Sequence, residues 1–251
     1  MSIEPVVAPS TLLAAAARSS IGLVRQENQD RWGERNQSVF VVADGMGGHE
    51  GGALAAELVV SRLLDESDRV YESDRVYDGR INWSEVIANV NAGVHDALVA
   101  SGRTQGGSTL VAVRLDEYGA EIIHVGDSRV YRLRHNDIEA VALTQDHNVE
   151  TELLAAGASV ENYRSQFGRT DALTRYLGGP DVPVPSVRSI RTSAGDRLLL
   201  CSDGVHSYIE PSLLSKCLAA PSCSQAAEAL IKASNDAGGH DNATAVVLEF
   251  A

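Results

Sequence analysis

The sequence is poor in cysteine, aromatic residues and basic residues, and each shortage excludes a class of protein. Its 251 residues include three cysteines, Cys201, Cys217 and Cys223, an odd number without the paired spacing of a zinc site. We therefore expect reduced structural thiols, with Cys201 in a buried strand. Aromatic residues make up 5% of the chain, whereas the 44% hydrophobic and 22% charged fractions are typical of a globular protein.

Basic residues are outnumbered, with 21 Lys and Arg against 34 Asp and Glu and a formal net charge of -13. Nucleic acids and anionic membranes attract basic surfaces, so this charge argues against both as partners. No apolar stretch reaches the length of a membrane span. The opening residues 1–20 carry Glu4 where a secretory signal has basic residues. We expect a cytoplasmic protein that binds neither nucleic acid nor membrane.

One feature that the sequence does contain is an apolar run that ends on an acid and continues into glycines. Residues 39–43 are typical of a short buried strand, and Asp44 is the first residue after it. Gly45 and the glycines that follow let the backbone approach an ion or a phosphate without hindrance from a Cβ atom. Because Asp-Gly is also an ordinary turn pair, this segment alone leaves both interpretations open.

The pattern recurs along the chain, which favours a binding site. Two more apolar strands end near Asp127 and Asp203, Asp241 precedes the apolar run 243–250, and Asp30 lies upstream in a polar segment. At about 4 Å two such charges repel by roughly 1 kcal/mol in water and about 4 kcal/mol at an effective dielectric near 20. A cluster of these acids therefore needs cations, and ligands that are all oxygen favour Mg²⁺ or Mn²⁺ over zinc.

At these residues the sequence resembles the PP2C (PPM) family of metal-dependent protein serine/threonine phosphatases, in its compact bacterial form. The resemblance extends from about residue 14 to residue 250. It rests on eight motifs in the family's order: Arg25-x-x-Asn28-x-Asp30, Asp44-Gly45-Met46-Gly47-Gly48-His49, Gly107-Ser108-Thr109, Gly126-Asp127-Ser128-Arg129, Leu143-Thr144-x-Asp146-His147, Leu173-Thr174-x-x-Leu177-Gly178, Ser202-Asp203-Gly204 and Asp241-Asn242.

The resemblance implies an α+β fold, a four-layer αββα sandwich of two antiparallel sheets flanked by helix pairs. Residues 1–251 would form a single domain with a flap subdomain at about 146–179. The implied activity is hydrolysis of phosphoserine and phosphothreonine in proteins by a water activated between two metal ions, which reverses protein kinase signalling. The implied partners are phosphorylated targets of a cognate Ser/Thr kinase, and we expect a monomer.

The resemblance also implies a set of metal ligands. Asp44 would bridge two tightly bound ions, Mn²⁺ or Mg²⁺. The carbonyl of Gly45 would bind one of them, and Asp203 and Asp241 the other. Asp127, together with Asp203, would hold a third and weaker ion. An acid in a Gly-Asp-Ser-Arg segment can also be a simple capping residue of a turn, and that alternative stays open for Asp127.

Two further residues receive roles from the resemblance. Asp30 would orient the attacking water, and the planar guanidinium of Arg25 would bind the substrate phosphate. The alternative for Arg25 is a surface salt bridge. No general acid is assigned, because Met46 stands where animal members of the family have a histidine. The nearby histidines fit packing or hydrogen-bonding roles better than catalysis; they are His49, His147 and His240.

Two alternative functions remain from the sequence. A non-catalytic regulatory module of the same fold would be expected to lack one of Asp44, Asp203 and Asp241, and all three are present. A phosphatase dedicated to one signalling regulator, such as an anti-sigma-factor antagonist, is the second.

The remaining segments predict alternating strands and helices. We expect strands at 6–18, 37–43, 108–115, 120–125, 129–134, 198–201 and 243–250, with the Arg25 to Asp30 motif on a turn. We expect helices at 49–64, 82–102, 149–156, 211–219 and 224–237. A capping box at Asn82 and Glu85 would open the second helix. Residues 66–71 are repeated without change as 72–77, which we interpret as a tandem duplication in a loop between helices.

Overall fold

The computed structural model describes residues 11–47, 50–71, 76–77, 80–117 and 119–251. Within them the strands are β1 Leu12–Ser20, β2 Asp30–Arg35, β3 Val39–Met46, β4 Val76–Tyr77, β5 Arg80–Ile81, β6 Gly107–Ser108, β7 Leu110–Asp116, β8 Gly119–Val125, β9 Arg129–Leu133, β10 Val141–Ala142, β11 Ser186–Ile190, β12 Arg197–Cys201 and β13 Ala243–Phe250. The helices are α1 Glu50–Tyr71, α2 Trp83–Ala100, α3 Val149–Ala155, α4 Val160–Phe167, α5 Asp203–His206, α6 Pro211–Leu218 and α7 Cys223–Asp236.

Two antiparallel sheets form the centre of the molecule. One has the strand order β1-β13-β12-β9-β10 and the other the order β11-β8-β7-β3-β2, with β6 paired to β3 beyond that path. Helices α1 and α2 pack on the outer face of the second sheet, and α6 and α7 pack on the outer face of the first. The predicted four-layer αββα sandwich is confirmed.

The layers follow from the alternation of side chains along each strand. In β12, Leu198 and Leu200 pack between the two sheets, whereas Leu199 and Cys201 face the helix pair α6 and α7. Residues 198–201 of β12 are therefore all apolar, because both faces of the strand are covered. The three cysteines are buried and free. Among the described helices, none is long and apolar enough to cross a membrane.

The beginning of the chain differs from the prediction. Strand β2 was not predicted, and it pairs with β3 through a three-residue turn, residues 36–38, in which Asn36 and Gln37 both have φ of 54°. Gln37 therefore lies in the turn and not in the strand. The sequence of β2 is polar and lacks the apolar pattern by which a strand is recognised, because an edge strand needs few apolar residues. The part of the first predicted strand within residues 6–10 lies outside the described residues.

The middle of the chain also differs from the simple succession of predicted strands. The predicted strand 108–115 is interrupted at Thr109, which separates β6 from β7. Strands β8 and β9 are consecutive but belong to different sheets, because Gly126 has φ of +105° and turns the chain from one sheet to the other. The turn that contains Asp127 is thus a crossing point between the two layers.

The predicted helices are present, and the first is longer than expected. Helix α1 continues to Tyr71, so the first copy of the duplicated segment is helical and not part of a loop. Its Glu66 and Ser67 are buried, which explains the extension. Most of the second copy, residues 72–75, lies outside the described residues. At α2, Asn82 accepts a hydrogen bond from the backbone N–H of Glu85, at 3.4 Å, so the predicted N-cap is confirmed.

Candidate metal and phosphate site

A cavity of about 800 Å³ opens at one end of the sandwich, where several strands end. Its lining includes six of the seven residues singled out from the sequence, drawn from segments that are far apart in the chain: Arg25, Asp44, Gly45, Asp127, Asp203 and Asp241. The seventh, Asp30, lies behind the wall and is buried. The structure therefore brings together, at one end of the sandwich and from both sheets, the acids that the sequence places at strand ends.

Asp44 lies inside strand β3, and not after it as the sequence predicted, because pairing with β6 carries the strand on to Met46. Thr109 holds the backbone of Asp44 through both the N–H and the carbonyl of that residue. The N–H of Asp44 donates to Thr109 Oγ1 at 3.0 Å, and its carbonyl accepts from the N–H of Thr109 at 2.9 Å. Thr109 Oγ1 also lies 2.7 Å from Ser128 Oγ, which ties Asp44 to the turn that carries Asp127.

Gly45 is required by its surroundings. A Cβ atom at this position would lie 2.2 Å from the carbonyl oxygen of Gly52 in helix α1. The close approach leaves space for backbone alone, so a larger residue would push the first turn of α1 away from β3. Glycine here keeps the carbonyl of residue 45 at the cavity wall.

Asp30 sits directly across from Asp44 in the register of β2 and β3. Its Oδ2 accepts a hydrogen bond of 2.6 Å from Ser202 Oγ, and Ser202 in turn accepts from the N–H of Thr244. The other oxygen, Oδ1, is buried and has no hydrogen-bond partner within the described part of the chain. Burial first, and then the charges of Asp203 and Asp241, raise the pKa of Asp30 to about 7.

Asp203 is the first residue of the short helix α5, directly after β12. Its Oδ1 is buried and has no hydrogen-bond partner among the residues that the structure describes. Burial and the charge of Asp241 raise the pKa of the Asp203 carboxyl. A buried carboxylate oxygen without a donor is costly, and a cation is the simplest partner that would satisfy it.

Asp127 lies on the turn between β8 and β9, beside Asp203. Burial is the main cause that raises the pKa of Asp127 to about 7, followed by the charges of Asp203 and Asp146. The backbone carbonyl of Asp127 accepts a hydrogen bond of 3.0 Å from His206 Nε2. That contact links the turn to helix α5, so Asp127 and Asp203 are held against each other from both sides.

Arg25 forms an ion pair with Asp241 at the mouth of the cavity. Its Nη2 donates to Asp241 Oδ2 at 2.6 Å, while Asp241 Oδ1 accepts from the N–H of Asn242 at 2.8 Å. The guanidinium is half exposed. Arg25 therefore forms a salt bridge, as its structural alternative required, but with an acid of the cavity rather than with an unrelated surface residue.

The electrostatics of the cavity are dominated by repulsion among carboxylates. Burial raises the pKa of Asp44 well above its ordinary value, and the charges of Asp30, Asp203 and Asp127 raise it further. Among the described residues, no three Asp, Glu, His or Cys side chains already converge at the spacing of a metal site. The chemistry of the lining nevertheless fits hard cations. Asp241 is paired with Arg25, but Asp44, Asp127 and Asp203 form no ion pair among the described residues, and one buried oxygen each of Asp30 and Asp203 has no donor.

Several residues of this cavity were missed by the sequence reading. His206 lies one helical turn after Asp203, and Tyr208 lies two residues further on, both on the cavity wall. Asp146 lines the opposite wall and receives two hydrogen bonds from the guanidinium of Arg129, at 2.7 and 2.8 Å. A possible signal was the position of His206 three residues after a strand-end acid, where a short helix would point it towards the same cavity.

The histidines that the sequence did single out have packing and hydrogen-bonding environments. His147 Nδ1 accepts from the N–H of Gly126 at 3.1 Å, its Nε2 lies 2.9 Å from Ser186 Oγ, and its ring stacks on His124. His240 is exposed and its ring lies against Tyr208, with a centroid distance of 5.5 Å. His49 lies outside the described residues.

Comparison with known proteins gives a consistent result. The family model described as protein phosphatase 2C matches residues 16–238. The chain is 32% identical over 244 residues to the serine/threonine protein phosphatase PstP of Mycobacterium tuberculosis, covering 95% of this chain and 45% of that protein. It thus spans about half the length of that relative. It is also 31% identical to the serine/threonine phosphatase stp of Listeria welshimeri, covering 94% of this chain and 95% of that protein.

Solved structures agree with these relatives. The PPM Ser-Thr phosphatase MsPP of Mycobacterium smegmatis, in complex with cacodylate, superposes with a TM-score of 0.80 at 31% identity, covering 96% of this chain and all of that one. The catalytic domain of PstP in complex with two manganese ions superposes with a TM-score of 0.78 at 29% identity, covering 95% of this chain and 98% of that one.

Proposed function

The chain belongs to the protein phosphatase 2C family, and from that premise we propose that its carboxylate cavity hydrolyses phosphoserine and phosphothreonine in proteins. The observation that supports this proposal is the partly buried cluster formed by Asp44, Asp127, Asp203 and Asp241, whose charges repel one another. A folded protein keeps such a cluster when a cationic group offsets the repulsion. No positive side chain in the described lining reaches all four acids, and divalent cations would.

We assign the metal ligands to residues of this chain as follows. Asp44, with the carbonyl of Gly45, would hold the cations together with Asp203 and Asp241, and Asp127 would hold a further, weaker ion. Divalent cations in such a site supply a centre that lowers the pKa of water and neutralises developing charge on phosphate. Mn²⁺ or Mg²⁺, two bound tightly and a third weakly, is the proposed composition.

The remaining groups act on the substrate and on the attacking water. Arg25 lies at the mouth with its guanidinium half exposed, so it can take phosphate oxygens in a bidentate contact. Asp30 lies directly across from Asp44 in the sheet register, and its Oδ1 has no hydrogen-bond partner among the described residues, so Asp30 would be available to orient the attacking water. Ser202 fixes the orientation of that carboxyl by donating to Oδ2.

The wider setting follows from the activity. We propose phosphorylated proteins that a cognate Ser/Thr kinase modifies as the substrates, a monomeric protein and a cytoplasmic location without nucleic acid or membrane partners. We propose further that residues 1–251 act as one domain, with a flap at about 146–179 beside the cavity. Helices α3 and α4 lie in this flap, and Asp146, Asn148 and Arg169 contribute to the cavity lining from it.

A direct assay tests the proposed function. Purified protein should release phosphate from p-nitrophenyl phosphate and from phosphothreonine peptides when Mn²⁺ or Mg²⁺ is present, and EDTA should stop both reactions. Asp203→Asn should be inactive at the same metal concentration, whereas Asp137→Asn, a change of an exposed acid in the turn after β9, should be fully active. Turnover that persists after exhaustive chelation would contradict the proposal.

A further inference from the structure

Several large apolar side chains remain exposed beside the cavity. Leu23 and Val24 are 71% and 61% exposed, and Tyr208 is 40% exposed. Tyr208 lines the cavity and lies against the ring of His240. We call Leu23, Val24, Tyr208 and His240 the mouth patch. Single exposed apolar residues are normal on protein surfaces, but a group of them at one site is a common sign of binding.

The mouth patch is continuous, and it reaches the cavity. The N–H of Leu23 donates to the carbonyl of Gly239 at 2.7 Å, and a Cβ on Gly239 would lie 2.8 Å from Leu23 Cγ. Gly239 precedes His240, which lies against Tyr208. At the other end, Val24 precedes Arg25, whose guanidinium is paired with Asp241 of the cavity.

The loop that carries this patch is held firmly in place. Gly22 has φ of +80°, and a Cβ there would lie 2.4 Å from the carbonyl oxygen of Asp241, so glycine is required for this close approach. Asn242 Nδ2 donates to the carbonyls of Ile21 and Glu27, at 2.9 and 3.0 Å. These contacts anchor the loop, which therefore holds Leu23 and Val24 in a fixed and exposed position.

From this arrangement we infer that the mouth patch selects phosphoprotein segments that carry apolar side chains next to the phosphorylated residue. The inference rests on the proposed function, since it takes Arg25 and the cavity as the place of the phosphate. Residues on either side of a phosphoserine or phosphothreonine must cross the mouth of the cavity, and successive residues of an extended segment advance by about 3.3 Å each. An apolar residue close to the phosphorylated one would therefore meet Val24, Leu23 or Tyr208.

The surrounding charge favours an apolar segment over an acidic one. Glu27 lines the cavity in addition to the candidate metal ligands, and the chain has a net charge of -13. Asp146 and Asp171 line it too, but their charges are offset by pairing with Arg129 and Arg169. An acidic segment would be repelled at the mouth, whereas burial of apolar surface against the mouth patch would stabilise the complex. The patch thus gives the enzyme a preference that the metal and phosphate groups alone cannot supply.

The test compares matched phosphothreonine peptides with the double variant Leu23→Ser/Val24→Ser. One set of peptides carries two leucines on the N-terminal or the C-terminal side of the phosphothreonine, and the reference peptide carries serines at all these positions. The parent should hydrolyse one of the leucine peptides with a KM about fivefold to tenfold lower than that of the serine peptide. In the double variant this ratio should fall to about one, because the apolar contact is lost. Tyr208→Ala should reduce the same ratio.

The matched control is Ile138→Ser, which removes a 91% exposed apolar side chain far along the chain from the mouth patch. It should keep the full preference of the parent. Equal KM values for all peptides with the parent, or an equal loss for leucine and serine peptides in the double variant, would overturn the inference. A dimer of the parent that dissociates in the double variant would overturn it too, because the patch would then be an interface between two copies.

The substrate p-nitrophenyl phosphate separates this inference from the proposed function. It has no flanking residues and reports the cavity alone. If the parent hydrolyses it in the presence of Mn²⁺ but shows no preference among the peptides, the inference fails and the proposed function stands. If the parent hydrolyses neither p-nitrophenyl phosphate nor any peptide, the proposed function fails and the inference fails with it.

Discussion

The stability of the metal-free protein should depend on pH through its buried acids, and Asp127 offers the clearest test. The pKa of Asp127 is raised from 3.8 to about 7 in the folded protein. A group with a raised folded pKa contributes stability below its unfolded pKa, and this contribution is lost as the pH rises through the folded pKa. The stability contributed by Asp127 should therefore be lost progressively between about pH 4 and pH 7 when cations are absent, and the loss should be essentially complete by about pH 8.

The size of this effect follows from linkage. One pKa unit corresponds to about 1.4 kcal/mol, and at about pH 5.5 the folded carboxyl is protonated while the unfolded carboxyl is ionised. Raising the pH to about 8 should then remove on the order of 2 kcal/mol from the free energy of unfolding through Asp127 alone. In Asp127→Asn this part of the pH dependence should disappear, because the amide does not titrate.

Buried histidines act in the opposite direction, which determines the design of the experiment. Burial lowers the pKa of His147 and of His206 to about 4 and that of His124 to about 3. Through these histidines the protein gains stability as the pH rises from their folded pKa values towards the unfolded pKa near 6.5, and this gain partly hides the loss from the acids. The informative quantity is therefore the difference between parent and variant, in which the histidine contributions cancel.

The assay is urea unfolding in EDTA at about pH 5.5 and pH 8, with the free energy extrapolated to water. Between about pH 5.5 and pH 8, the free energy of unfolding of Asp127→Asn should rise by about 2 kcal/mol relative to that of the parent. The exposed acid Asp137 provides the control, since Asp137→Asn should show no such shift. If parent and Asp127→Asn share the same pH dependence, the electrostatic account of the cavity is refuted.

Four further changes test individual groups. Asp44→Asn should abolish turnover and most of the rise in Tm with Mn²⁺, which corresponds to roughly 2.7 kcal/mol at 100 times the dissociation constant. Arg25→Ala should mainly raise KM for phosphorylated substrates while the Mn²⁺-dependent rise in Tm persists, as steady-state kinetics and thermal melts can show. Asp127→Ala should lose the weakest Mn²⁺ site in calorimetry and lower kcat, with the tight sites retained. Ser202→Ala should cost about 1–3 kcal/mol in urea unfolding, because it removes the donor to buried Asp30.

For each of these four variants, one result would contradict the expectation. Asp44 does not bind metal if its amide variant melts and responds to Mn²⁺ like the parent. An unchanged KM would leave Arg25 as a salt-bridge partner of Asp241. Asp127 is a turn residue if all sites and full activity survive its loss, and it belongs with the tight sites if these vanish too. An unfolding free energy within about 0.5 kcal/mol of the parent would show that Ser202 does not support Asp30.

Much of the fold could be predicted because apolar periodicity reports which face of an element is buried. Strand β12 and helices α2 and α7 were expected with nearly their observed bounds, since their apolar residues face a covered layer. Strand β2 could not be predicted in this way. It lies at the edge of its sheet and contains Trp32 as a half-exposed aromatic residue, so its sequence lacks the apolar pattern of a core strand.

The acids of the site could be predicted from the sequence, but the residues that surround them could not. The recurrence of acids at or near strand ends predicted Asp44, Asp127 and Asp203, and they meet because strands of both packed sheets end at the same end of the sandwich. The contact of His206 with the carbonyl of Asp127 depends on how α5 meets the turn between β8 and β9, in a different part of the chain. The sheet change at Gly126 decides that geometry, and no local pattern reports it.

The central claim is that Asp44, Asp203 and Asp241 hold divalent cations in the cavity. Anomalous diffraction near the manganese absorption edge, from crystals soaked in Mn²⁺, would locate the ions directly. The account predicts peaks inside the cavity, within about 2.0–2.4 Å of oxygens of these three acids, and their loss in crystals of Asp203→Asn soaked in the same way. A cavity without an anomalous peak at saturating Mn²⁺, or peaks elsewhere on the molecule alone, would contradict it.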